Sequence, residues 1–241
     1  DGKKVLWHGG DNITYFFGFF HGAQYKYYGE DGVAEAKFDK VPESEGTRDF
    51  ELSRSYAVYP FEVGASCIQD NGVEKLQVFY PAEQNYMPNS FGRGANVMVA
   101  AGEYAHVDNL RFRNACGYLV IKLYGENITV KSIKLTALGG EKIAGKGLIT
   151  ASNDAVPTVK MTDEGSSTIT LMCGEGVALG ADATEFWFAM PPVTFEQGFK
   201  IHVAPTSGLA FEMQTSKQVE ITRNDIQPMA ALQYTPNAQS A

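Results

Sequence analysis

The chain is predicted to be all-β. Apolar side chains recur with period two wherever a pattern is visible, and no long segment repeats them at i, i+3, i+4 and i+7. In addition, 25 glycines among 241 residues supply many turns. A chain of this length accommodates two domains of ordinary size, each with its own core, and its 44% hydrophobic and 20% charged residues are those of a protein that folds completely.

In the first half, "NITYFFGFF", "RSYAVYPFE" and "KLQVFYPAEQ" are aromatic and β-branched runs bounded by Gly, Pro, Asn and Asp, and read as strands. "FDKVPESEGTRD" is polar and turn-rich, an exposed loop. "AAGEYAHVDN" separates two strand-rich blocks, so an N-terminal domain is expected over residues 1–106 and a C-terminal domain over 107–241. In "YLVIKLYG" one face carries Leu119, Ile121 and Leu123; the other, with Tyr118, Val120, Lys122 and Tyr124, is half polar and expected nearer solvent. A hairpin through "GEN" is expected next. "NITVKSIKLTALGG" starts in register with Ile128 and Val130 and then changes parity to Ile133 and Leu135, as a β-bulge would cause.

Further along, "STITLMCGEG" sets Ile169, Leu171 and Cys173 on one side, and "EFWFAMPP" is a short strand closed by Pro191 and Pro192. In "GFKIHVAPTSGLAFEMQT", Phe199, Ile201 and Val203 alternate before a "PTSG" turn, and Leu209, Phe211 and Met213 alternate on the return. "KQVEITRN" adds a strand with Val219 and Ile221.

Several function classes are disfavoured. A formal charge of −8 and a pI near 5.1, with no basic stripe, argue against nucleic-acid binding. No run of apolar residues is long enough for a transmembrane span. Cys67, Cys116 and Cys173 form an odd set without CxxC spacing, which disfavours a zinc site and permits at most one disulfide. Cys116 lies between Asn114-Ala115 and a glycine leading into a strand, a setting for a small packed hydrophobe rather than for a reactive thiolate; Cys173 reads the same way.

No motif points to catalysis or to a cofactor. "GGEKIAGKG" opens like a phosphate-binding loop, but Gly147 stands where a Ser or Thr would hold magnesium, and "LITAS" reads as a strand where a helix is needed. His8, His21, His106 and His202 are scattered, "GASCI" lacks the second glycine of a nucleophile elbow, and the acid pairs Glu30/Asp31 and Asp163/Glu164 sit in turns. The aromatic run Tyr15, Phe16, Phe17, Phe19, Phe20, Tyr25, Tyr27 and Tyr28 could stack on sugars, the alternative being a carbohydrate-binding surface module of a glycan-utilisation system. Cross-strand packing accounts for it better.

Taken in order, "VLWHGGDNITYF", "YAVYPFE", "PAEQNYMPNSFGRGANVMVA", "FRNACGYLVIKLYG", "VKSIKLTALGGEKIAGKG", "FEQGFKIHV" and "QVEITRNDIQPM" resemble the fimbrillin-like proteins of Bacteroides and relatives over nearly the whole chain. The resemblance implies two β-sandwich domains of transthyretin-like Greek-key type. It implies export to the cell surface, attached to the outer membrane or within a fimbrium, as a pilin, anchor or tip subunit or related adhesin. It also implies a lipid anchor on an upstream segment, a role that none of the three internal cysteines can fill. The partners it implies are other fimbrial subunits, joined by strand exchange, and surface ligands of host or bacterium.

The C-terminal stretch "DIQPMAALQYT" carries one apolar parity, Ile226, Pro228, Ala230, Leu232 and Tyr234, against Gln227, Met229, Ala231, Gln233 and Thr235. Such alternation suits a donor strand, and residues 226–235 are the candidate strand-exchange segment; an edge strand of the chain's own sheet is the competing reading.

Overall fold

A computed structural model describes residues 5–18, 20–44, 46–48, 50–104 and 109–235. Among them every regular element is a strand and none is an α-helix. The first strands are β1 (Asn12–Phe17), β2 (Phe20–Tyr27), β3 (Phe38–Lys40), β4 (Thr47–Arg48) and β5 (Tyr56–Tyr59). Next come β6 (Ser66–Asp70), β7 (Val73–Tyr80), β8 (Glu83–Asn85), β9 (Met98–Ala101) and β10 (Arg113–Asn114). The second half opens with β11 (Gly117–Tyr124), β12 (Thr129–Ala137), β13 (Gly145–Thr150), β14 (Thr158–Met161) and β15 (Thr168–Ala178). It closes with β16 (Thr184–Met190), β17 (Val193–Phe195), β18 (Phe199–Pro205), β19 (Phe211–Thr215), β20 (Val219–Ile221) and β21 (Ile226–Gln233).

The chain forms two compact units, each gathered from several segments: Asp1–Phe79, Val97–Asn114 and Leu148–Thr158 make one, and Tyr80–Asn96, Ala115–Gly147 and Val159–Ala241 the other. The single junction expected near 106 falls within residues 105–108, which lie outside the described residues.

The first unit is built on a sheet of order β10-β9-β5-β1-β2-β3, with β4 also paired to β2. "NITYFFGFF" is two strands rather than one, because Gly18 takes a φ of 50° and turns the chain back on itself. "FDKVPESEGTRD", expected to be loop, contributes the short strands β3 and β4, since β2 offers a free edge for them. On one face of the sheet Ile13, Ala57, Tyr59, Met98 and Ala100 are packed under Trp7, whose ring meets Phe38, Tyr59 and Phe112 edge-on at 5.0–5.4 Å. β5 is preceded by a segment tied down by Glu74 of β7, whose carboxylate accepts from the Ser53 amide and from the Ser53 and Tyr56 hydroxyls.

The second unit contains a three-stranded sheet, β16-β11-β21, and a five-stranded sheet, β19-β18-β12-β15-β8. The expected parities hold here. Leu119, Ile121 and Leu123 from β11, with Phe186 and Phe188 from β16, share one core with Ile133 and Leu135, Ile169 and Leu171, and Ile201 and Val203 of the larger sheet. The bulge in β12 is present: its register shifts between Val130 and Ser132 against both β15 and β18.

Two local expectations fail. The chain does not form a hairpin at "GEN"; both edges of β11 are taken by β16 and β21, and both edges of β12 by β15 and β18, so these residues carry the chain from one sheet to the other. Nor do Tyr118 and Val120 face solvent: both are buried, Tyr118 stacking on Phe91 at 4.9 Å and donating its hydroxyl to Asn96 Oδ1 at 2.9 Å. The loop between β8 and β9 brings those partners over the outer face of the strand, which no period-two pattern could announce.

Candidate functional site

The candidate segment forms β21, and its seat is the edge of β11. Pairing is parallel, from Tyr118 opposite Ile226 to Tyr124 opposite Gln233. Two glycines frame this edge. A Cβ on Gly117 would collide with the Thr222 carbonyl oxygen and lie 2.7 Å from Ile221 Cγ2; one on Gly125 would lie 3.2 Å from Tyr234 Cβ. Before β21 a tight turn leads in, with Asn224 at φ 62°, the Asn224 amide donating to the Cys116 carbonyl at 2.7 Å, and the Tyr118 amide to the Asp225 carbonyl at 3.0 Å.

The five predicted residues do not form one continuous stripe. The register slips between Val120, opposite Pro228, and Lys122, opposite Ala231, so two residues of β21, Met229 and Ala230, oppose Ile121 alone. This bulge exchanges the faces in mid-strand: Pro228 and Ala230 stand in solvent, Ile226 is half-buried, and Leu232 and Tyr234 join the core together with Met229, which belongs to the other parity. Tyr234 is the best anchored. Its amide donates to the Tyr124 carbonyl at 2.8 Å, its hydroxyl to the Leu209 carbonyl at 2.7 Å, and its ring lies 5.5 Å from Phe211. Burial pushes its phenol pKa up, so the hydroxyl keeps the proton it donates. Leu209, expected on the returning strand, lies before β19; its side chain is exposed and its backbone carbonyl accepts from the Tyr234 hydroxyl.

Several chemistry-bearing side chains outside this seat are packed or paired. Cys67, Cys116 and Cys173 are all buried, and none of them is joined in a disulfide. Burial, then the nearby Glu74, pushes the Cys67 thiol up to about 12, and burial pushes that of Cys173 up to about 11. We therefore expect iodoacetamide at about pH 8 to leave all three unmodified in the folded protein while labelling the unfolded chain completely. Intact-mass spectrometry reads this directly, and a thiol labelled at the unfolded rate in the native state would count against packing as its role.

Among the described residues no group of three or more His, Cys, Asp or Glu side chains could hold a metal ion. His202 faces outward from β18 and meets Glu212 of β19 at 3.0 Å; that bond, with Lys200, holds the Glu212 carboxyl below its ordinary range. His106 lies outside the described residues, and so does Phe19 of the aromatic run. Within that run Phe16 and Tyr27 are buried, and Tyr15 stacks on Phe17 at 5.1 Å and meets Tyr25 edge-on at 5.2 Å, whereas Tyr28 is exposed under Lys26. "GGEKIAGKG" turns through Gly140 and Gly145, both at positive φ, into strand β13. Lys146, the residue in the phosphate-binding position, pairs instead with Glu164 at 2.8 Å.

The fold and this site define an all-β protein in which the last strand among the described residues occupies the edge of its own sheet. No family model matches the chain, and no curated protein matches it. Among solved structures it is similar to one described as a "putative cell adhesion protein" from Bacteroides ovatus, with 10% identity, a TM-score of 0.55, and coverage of 96% of this chain and 85% of that one. At this identity the likeness is one of fold.

Proposed function

We propose that this chain is a non-catalytic cell-surface protein of the fimbrillin-like kind, a pilin, anchor, tip subunit or adhesin, built from Greek-key sandwiches of transthyretin type. The order of its sequence phrases and the adhesion-protein neighbour support this reading. The observation that carries it is β21, an edge strand of the sheet β16-β11-β21. It is seated on β11 by backbone pairing and by Met229, Leu232 and Tyr234. A strand held in that way can be supplied by another copy without changing what β11 receives, because main-chain hydrogen bonds are the same whichever chain provides them.

Lys122 and Ala231 are register partners across this seat and provide the test. In the double variant Lys122→Cys, Ala231→Cys, oxidation links the two within one chain when β21 is at home, and between chains when it is exchanged. We expect a ladder of covalent oligomers on denaturing gels from concentrated or surface-assembled protein. Links confined to single chains at every concentration would sink strand exchange. A chain ending at residue 225 should in addition lose assembly.

A further inference from the structure

We propose that Tyr234 is a latch that keeps β21 in its own sheet, and that its release, from the C-terminal end of the strand, is the step that frees the strand for a second copy; only this last consequence rests on the strand-exchange reading above. The two ends of the segment are held differently. At the N-terminal end the turn over residues 222–225 is tied by backbone bonds to Cys116 and to Tyr118 of β11, and Asn224 sits in the left-handed region, so this end is held as a hinge. In the middle, the bulge opposite Ile121 interrupts the ladder, and Pro228 brings no amide proton to it.

At the far end one residue ties the strand to the two larger sheets of the unit. The Tyr234 amide is bonded to Tyr124 at the end of β11, while its hydroxyl reaches Leu209 in the loop between β18 and β19 and its ring packs on Phe211 of β19. Gly125 leaves the space for this: an alanine methyl there would stand 3.2 Å from Tyr234 Cβ and 3.9 Å from Leu179 Cδ1. Between hinge and latch only Met229 and Leu232 reach the core, and the side chains of Pro228, Ala230, Ala231 and Gln233 are exposed. Once the latch opens, the strand can peel from its C-terminal end in a local opening that leaves the rest of the core intact.

Tyr234→Phe removes the hydroxyl bond alone and keeps the packed ring; Tyr234→Ala removes both. Amide hydrogen exchange of the full chain is the measurement. We expect β21 amides to exchange about fivefold faster in Tyr234→Phe and at least tenfold faster in Tyr234→Ala, while those of Ile133 and Leu135 in β12 keep their wild-type rates. No change in β21 in Tyr234→Phe, or equal acceleration of β21 and β12, would overturn the latch. Placed in the Lys122→Cys, Ala231→Cys background, Tyr234→Phe should also raise the share of links between chains. Faster exchange in β21 with links still confined to single chains would uphold the latch and remove strand exchange as its purpose.

Discussion

Replacing Gly117 by alanine is expected to destabilise the fold by about 3 kcal/mol, at the upper end of what overpacking a buried site costs. The glycine is buried at the head of β11, and no backbone strain is involved, since its φ lies outside the left-handed region. The cost is spatial. An added methyl would meet the carbonyl of Thr222 and the side chain of Ile221, and the first of these is backbone that cannot rotate away. Relief would require the turn over 222–225 to move, which strains the Asn224 and Tyr118 amide bonds that start β21. Gly125→Ala should cost less, about 1 kcal/mol, because 3.2 Å to Tyr234 Cβ demands a shift of only a few tenths of an ångström. Urea unfolding of the two variants measures the ranking, with unchanged denaturant slopes marking a change in stability alone. Equal midpoints for wild type and Gly117→Ala would mean that the turn does not sit where it is described.

These glycines also show what could be read in advance. In "CGYLVIKLYG" the alternation of Leu119, Ile121 and Leu123 is visible, because burial of one face imposes a local rule of period two. The bulge in β12 is visible for the same reason, as a break in that period, and so are the inward faces of β15 and β18. That Gly117 and Gly125 bound a seat for a segment about a hundred residues later is not visible, since a glycine beside a strand is ordinarily a turn. The apolar stripe in "DIQPMAALQY" does not survive in the fold for a related reason. Met229 and Ala230 share one partner, and such a bulge is set by the neighbouring strand rather than by the segment's own pattern. Sheet membership is the least local property of all: "GEN" looks like a hairpin because the competition for the edges of β11 and β12 is decided by strands far along the chain.

Gln84 is the residue whose importance the sequence hides most completely, and its replacement by leucine should cost about 3 kcal/mol, the loss of two buried hydrogen bonds and the stranding of their backbone partners. Its side chain is 2% exposed and acts as a piece of strand: Nε2 donates to the Ala189 carbonyl at 2.6 Å, and Oε1 accepts from the Ala189 amide at 3.0 Å. Ala189 lies in β16, whose other edge is paired with β11, so the amide of Gln84 caps the free side of that strand in the way a neighbouring strand would. Leucine matches the volume and offers neither group. Gln84→Glu separates bonding from packing, for a carboxylate can still accept from the amide but faces the Ala189 carbonyl with negative charge. The glutamic acid form can donate to it. Folding should therefore raise the pKa of that carboxyl. A group raised in this way contributes its stability below its unfolded pKa of about 4.3, and the contribution is lost as pH rises through the folded value. Relative to wild type, Gln84→Glu should be markedly destabilised at neutral pH and recover on acidification, whereas the deficit of Gln84→Leu should stay constant. Thermal unfolding of the three proteins across that range decides the matter: parallel curves for the two variants would show that Gln84 fills space without capping β16.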